Sequence, residues 1–392
     1  MNASRYSVMH ERGTDHTCDP YDRTRKEQLR SSEPCTPAPM RNTNHPTHRI
    51  HLLIGFMFFM WTERLKAQDI HFTQYQLQPL LQSPAMAGIG HDLRAVLQHR
   101  NQWASVTTPF KTTAFSYDMQ LKQKRGKAGF LAFGVNFFSD NAGDAKLKSS
   151  QGGLSMAYHI KTGQNSTIGA GLFGGFGQRS IDPSGLQWGE QYDGSAYDSA
   201  LPTGESLTAS SITFLDLGLG GTWHYNSAAG ANDVVANQST QATLGFGYFH
   251  VTRPEYTFLG AEEQLYAKMV LHGNARFSMG DGNSAIVPNF QYTKQGPSTE
   301  FMLGAMFRYV LTPTSKVTGI NKGSAISLGP VLRARDAIAI AAMVEQGRFA
   351  LGLSYDLNTS DLRQASNGLG AFELAIRFVN PSPFNNKSRS RD

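Results

Sequence analysis

Phe349-Ala350-Leu351-Gly352-Leu353-Ser354-Tyr355-Asp356-Leu357 is the stretch that decides the fold. Phe349, Leu351, Leu353, Tyr355 and Leu357 alternate with Ala350, Gly352, Ser354 and Asp356. Side chains of a strand point alternately to opposite faces, so this segment has one large apolar face and one small or charged face. Sandwiches turn over in shorter strands and rarely keep small and charged residues on the hidden side. A strand crossing a membrane does the reverse, with its large residues turned to lipid and small or polar ones turned to the lumen.

The same rhythm extends in both directions. Phe301, Leu303, Ala305, Phe307 and Tyr309 alternate with Glu300, Met302, Gly304, Met306 and Arg308, and Phe372, Leu374, Ile376 and Phe378 alternate with Glu373, Ala375 and Arg377. Fourteen such segments are predicted, at 92–100, 108–121, 127–138, 149–161, 165–178, 211–226, 240–251, 266–279, 284–293, 298–311, 323–335, 336–345, 347–357 and 370–379. Several approach the roughly 9–11 residues that a tilted strand needs to span a bilayer. The fold expected is all-β: a transmembrane antiparallel β-barrel of about 14 strands, with an N-terminal plug or arm.

With both ends of the barrel in the periplasm, the turns after even-numbered strands should be short and polar. Gln123-Lys124-Arg125-Gly126, Gly163-Gln164-Asn165, Gly280-Asp281-Gly282-Asn283 and Glu345-Gln346-Gly347 fit, whereas 227–239 and 312–322 are long where the rule asks for short turns. The longest loop, 179–210, falls on the extracellular side, with 139–148, 252–265 and 358–369.

Composition agrees with this reading. Only 17% of residues are charged, Gly numbers 39 and Phe 24, and mean hydropathy is −0.35, which excludes a bundle of apolar membrane helices. The one long apolar run, Leu52–Trp61, is too short to span a bilayer as a helix. Basic residues before it and Ala67 after it predict a signal peptide cleaved after Ala67, so that 1–67 is a polar extension plus signal peptide, with a translation start at Met40 the more economical reading. Cys18 and Cys35 both precede that cleavage point, so no disulfide or thiolate chemistry is expected of the mature chain. Of 36 Lys+Arg and 30 Asp+Glu, the first 67 residues hold 10 and 7, leaving 26 and 23, a balance that gives no reason to expect a nucleic-acid partner. After the signal peptide come a 68–90 plug or arm containing Pro79 and Pro84, the barrel at 91–379, and a polar tail at 380–392.

The opening of the mature chain, Gln68-Asp69-Ile70-His71-Phe72-Thr73-Gln74-Tyr75, then Gln78-Pro79-Leu80 and Ser83-Pro84-Ala85-Met86-Ala87-Gly88, resembles the type IX secretion system membrane proteins of the PorP/SprF family. Further matches are His99-Arg100-Asn101-Gln102-Trp103, Pro109-Phe110, Ser116-Tyr117-Asp118, Gly129-Phe130, Ala157-Tyr158-His159-Ile160 and Gly247-Tyr248-Phe249-His250-Val251-Thr252-Arg253-Pro254. His99 stands where the family pattern has an aromatic, and Gln76-Leu77-Gln78 replaces a more aromatic and Asn-rich spacer. The resemblance implies an outer-membrane protein of Bacteroidota-type bacteria that supports secretion or surface attachment of particular substrates, including gliding adhesins. Its implied partners are type IX secretion components, a secreted surface protein with a C-terminal sorting domain, and outer-membrane lipid.

Candidate partner-binding or structural residues are Arg100, Asn101, Gln102 and Trp103 at the outer end of the first strand, His250 and Pro254 of the family-like His-x-x-x-Pro run, and Tyr192, Tyr197, Tyr256 and Phe258 in the outer loops. Trp103 fits an interfacial aromatic girdle, and Arg100 either points into the lumen or grips the N-terminal segment. The seven histidines after residue 67 are scattered, and no zinc-hydrolase, nucleophile-elbow or phosphate-loop motif occurs. No cofactor or metal is expected, and Asp193 and Asp198 read as a solvated loop. Two other classes remain beside the secretion role: a channel for hydrophobic solutes like the fourteen-stranded fatty-acid transporters, and an outer-membrane hydrolase built on a Ser-His pair.

Overall fold

The computed structural model describes residues 69–380, apart from 107, 122–128, 144–145, 183, 185, 205–209, 228–234, 238, 257, 259–263, 281 and 315–322. The signal peptide and Met40, the turn at 123–126 and tail residues 381–392 lie outside the described residues. Alternating sequence becomes strand throughout: β1 (Leu93–Gln102), β2 (Phe110–Gln120), β3 (Gly129–Ala142), β4 (Leu147–Lys161), β5 (Ser166–Ser180), β6 (Ser211–Asn226), β7 (Gln241–Phe249), β8 (Lys268–Ser278), β9 (Ser284–Gln295), β10 (Ser298–Thr312), β11 (Ser324–Arg333), β12 (Ala337–Gln346), β13 (Phe349–Asn358) and β14 (Leu369–Asn380). Each strand pairs antiparallel with the next. Leu97 stands opposite both Phe115 of β2 and Ile376 of β14, so the sheet closes on itself and has no free edge.

The register turns the apolar residues outward, as the alternation requires. Along β13, Phe349, Leu351, Leu353, Tyr355 and Leu357 are exposed while Ala350, Gly352, Ser354 and Asp356 are buried. No helix among the described residues is long and apolar enough to cross a membrane. The structure crosses with strands instead, and its outward Leu, Phe and Ile side chains form the surface a lipid bilayer covers.

Leu93 pairs with Asn380, so both ends of the barrel open on one mouth, here the terminal mouth; the other is the far mouth. Connections 181–210, 250–267 and 359–368 stand at the far mouth. At the terminal mouth, 227–240 is long because it does more than turn the chain. It carries Val235 onto Val310 and Ala325, and Asn237 donates to the Asn283 carbonyl at 2.7 Å.

The apolar core lies inside the barrel, between its wall and residues 69–92. Tyr75 packs on Met302, Met306 and Val331, Leu80 on Ala132 and Ala157, Phe72 on Ala114 and Phe138, and Leu77 on Val96 and Ala375. These contacts reach strands all round the barrel, which explains why inward positions are small: the segment occupies the volume that large inward side chains would fill. Gly171, Gly220 and Gly247, on adjacent strands, make the closest approach. A Cβ at Gly171 would lie 2.5 Å from the Ala85 nitrogen, and one at Gly220 or Gly247 would strike Ser83 or the Gln82 carbonyl. Pro79 starts a single helical turn, Pro79–Gln82, and the Ser83 hydroxyl accepts the Ala85 N–H at 3.2 Å to start the next.

Candidate functional site: the clamped lumen and the far-mouth loops

Segment 69–92 runs from the far mouth to the terminal mouth, and wall side chains hold it at three levels. Asp69 is the uppermost anchor. The His250 ring meets its carboxylate at 2.8 Å and Lys268 at 3.0 Å, while Gln295 accepts its backbone N–H at 3.0 Å. His250 lies one residue past β7 at φ 57°, a left-handed turn that brings its backbone N–H to Asp216 at 3.0 Å and its ring Nδ1 to 3.1 Å from the same oxygen. The imidazole is therefore held between two carboxylates.

Burial alone would lower the His250 imidazole, but Asp69 and Asp216 outweigh it and raise it from 6.5 to about 9. Burial also opposes ionisation of Asp69, yet Lys268 and His250 hold its carboxyl well below the usual carboxylate range. A raised imidazole contributes stability that is whole below its ordinary value and is lost as pH rises through its folded value. A depressed carboxyl contributes stability lost only as pH falls through its folded value. The clamp should thus weaken as pH rises above about 6.5, its contribution being spent by about 9. The melting temperature of the wild type is expected to fall between about pH 6.5 and about pH 9, and His250→Gln, weaker at neutral pH, should lack that step. An equal step in both proteins would exclude His250 as its source.

Thr73 forms the middle anchor. Its N–H donates to Glu373 at 2.6 Å, its hydroxyl donates to Asp356 at 2.7 Å, and the same hydroxyl accepts from Arg100 at 2.9 Å and Arg333 at 2.7 Å. Arg100 also pairs with Asp356 at 2.9 Å and with Glu373, and Arg333 reaches Asp356 at 3.0 Å. Two guanidinium groups face two carboxylates, so the buried charge is balanced. Asp356 enters this cluster where the β13–β14 register shifts, between Tyr355 and Leu357.

At the terminal mouth Asp118 closes the series. It accepts from the Gly88 N–H at 2.7 Å, from His91 at 2.8 Å and from Arg94 at 2.9 Å. Gly88 has φ 68°, and a Cβ there would sit 2.6 Å from that of Ala132. Two cavities flank the threaded segment: one of about 60 Å³ beside Phe72 and Tyr75, and one of about 290 Å³ beside Leu77 and Ile89. Among the described residues, no group of three His, Cys, Asp or Glu is placed to hold a metal ion.

The family model for the type IX secretion system membrane protein PorP/SprF matches residues 64–378. The chain belongs to that family. This PorP/SprF protein is therefore an outer-membrane β-barrel of type IX secretion, associated with the components of that system. No curated protein matches its sequence. Among solved structures it is similar to BamA from Haemophilus ducreyi lacking POTRA domains 1–3, at 10% identity and TM-score 0.39 over 74% of this chain and 70% of that one. It is also similar to the TodX monoaromatic hydrocarbon channel, at 8% identity and TM-score 0.40 over 78% and 94%. A third is the translocator domain of the autotransporter NalP from Neisseria meningitidis, at 13% and 0.35 over 77% and 93%.

In the PorP/SprF barrel the residues singled out from the sequence separate into two groups. Arg100 and His250 are buried and hold the N-terminal segment. Gln102 accepts from Arg100 at 3.3 Å, Asn101 is half-buried beside it, and Trp103 leaves β1 at φ 57° with its edge on Phe110 at 5.0 Å. Tyr192 and Tyr197 bridge to one another within 181–210 and are exposed, at 56% and 40%. Pro254 accepts the Leu265 N–H at 2.9 Å. Tyr256 and Phe258, grouped with those two tyrosines as outer-loop anchors, are not presented with them: Tyr256 is half-buried and Phe258 buried. Arg179 lies 4.3 Å from the Tyr256 ring centre and 5.4 Å from that of Phe258, drawing both inward, and Phe258 is only 9% exposed. Sequence reading missed Thr73, Asp118, Asp216, Arg333, Asp356 and Glu373 as anchors. The available signal was a charge or hydroxyl at inward-facing positions, or in the segment the barrel encloses.

Proposed function

We propose that this barrel is a non-enzymatic support for secretion or surface attachment of particular type IX substrates, such as gliding adhesins with a C-terminal sorting domain, which it engages through its far-mouth loops. The supporting observation is the lumen: residues 69–92 fill it and are fixed at three levels, so the working surface is the loops and not a bore. Outer-membrane barrels keep both ends in the periplasm, which turns the far mouth outward. Exposed aromatic side chains on a polar loop supply interface anchors, and Tyr192 and Tyr197 are the pair so presented. A channel for hydrophobic solutes would require all three anchors to release together.

The test is the double variant Tyr192→Ser/Tyr197→Ser, assayed for surface display of one sorting-domain protein. Display should drop by about tenfold or more, as loss of two interface anchors implies. Barrel assembly and small-solute uptake should stay unchanged. Normal display in that variant, or lost uptake with display intact, would transfer the assignment to the channel reading.

A further inference from the structure

The larger cavity lies at the terminal mouth, the opposite end from the loops discussed above. One side of it is charged. Arg308 pairs with Glu345 at 2.6 Å, and Arg377 pairs with the other oxygen of the same carboxylate at 2.6 Å. One carboxylate thus serves two guanidinium groups, and a positive charge is left over. Arg94, also in the wall, is matched by Asp118; Arg276, His91 and His224 complete the titratable lining, in which Glu345 is the one carboxylate among the described residues.

Donors are left over as well. Arg308 is 3% exposed and its Nη1 is taken by Asn237; among the described residues its Nη2 and Arg377 Nε have no hydrogen-bond partner. A buried guanidinium N–H without an acceptor is costly, and a carboxylate is the acceptor whose two oxygens match the guanidinium fork. The remaining wall is apolar, with Leu77, Met86, Ile89, Val287, Met306 and Met343. At about 290 Å³ the cavity suits a small ligand.

We propose that this cavity binds the carboxylate of a short ligand with an apolar body, such as the C-terminal end of a peptide, entering through the terminal mouth. Apolar walls favour such a ligand over a bare inorganic anion, whose whole surface would need polar partners. The chain's own tail is a poor occupant. It leaves β14 beside Val379 at the cavity's edge but carries Lys387, Arg389 and Arg391 against Asp392.

Titration calorimetry of the full-length barrel with N-acetyl-Leu-Leu, its C-terminal amide and inorganic phosphate tests this. The free acid should bind, with the amide and phosphate each weaker by about tenfold or more, and Arg377→Gln should weaken the acid by about tenfold. Because Arg308→Gln strips a partner from Glu345 and can unfold the barrel, Asn274→Trp supplies an independent variant. It fills the cavity from an uncharged wall position and should abolish binding with the melting temperature kept. Failure of the acid to bind, equal binding of acid and amide, phosphate as tight as the acid, or binding that survives Asn274→Trp would each overturn the site.

Discussion

Arg100→Met is expected to destabilise the barrel by about 3–5 kcal/mol, because it strips buried Glu373 of its guanidinium partner and leaves Asp356 with Arg333. Arg100 is 2% exposed and touches Thr73, Asp356 and Glu373 at once, so its loss also removes a donor from the hydroxyl that anchors the N-terminal segment. Denaturant titration in detergent, following loss of the compact form on unheated gels, reads the change. Charge balance rather than shape should dominate. Adding Glu373→Gln to Arg100→Met restores one cation to one anion and keeps a carbonyl acceptor for one of the Thr73 and Gln74 N–H groups. The pair should therefore lose markedly less than the sum of the single variants, a coupling of about 0.5–3 kcal/mol. Additive losses, or an Arg100→Met variant as stable as wild type, would show that the cluster does not hold the segment.

How far the sequence carries depends on which residues are read. The wall is legible because a period of two is imposed on every strand by lipid outside and a confined lumen inside. All fourteen alternating segments became strands, with boundaries displaced by a few residues where pairing runs past the pattern, as in β3, which continues through Ser139–Ala142. Residues 69–92 have no such period. Their shape is set by contacts with strands far away in the sequence: Asp69 by His250 and Lys268, Thr73 by Glu373, Gly88 by Asp118. Arg100 belonged to a recognisable run, and a grip on this segment was one of its two readings. The carboxylates that complete its cluster looked like ordinary inward polar residues, since alternation tells which way a side chain faces and not which strand opposite carries its counter-charge. Phe258 shows the converse. Its loop is polar, but Arg179, at the end of β5, draws the ring down by cation–π attraction.

Leu353→Arg should cost about 2–4 kcal/mol, the penalty for a cation facing lipid near the bilayer midplane. Leu353 lies near the middle of β13, between Ala342 and Leu374, with its side chain turned outward. Leu351, two residues nearer the terminal mouth, should lose less with the same change, because the penalty declines toward the interface. An empty lumen would accept Ser354→Arg readily. Here Ser354 is 3% exposed and its hydroxyl lies 3.4 Å from Glu373, within the packed middle cluster, so the larger side chain must displace the segment and should cost about 1–3 kcal/mol. Asn274→Glu supplies the comparison for charge alone. It enters the terminal-mouth cavity beside Arg276 and Arg308, where a carboxylate has both room and partners, and should change stability by less than about 1 kcal/mol. The order Leu353→Arg, Ser354→Arg, Asn274→Glu, from most to least damaging, is what an outward leucine, a filled lumen and an open basic cavity require. If Ser354→Arg were neutral while Leu353→Arg remained costly, the register would stand but the lumen at that height would be empty.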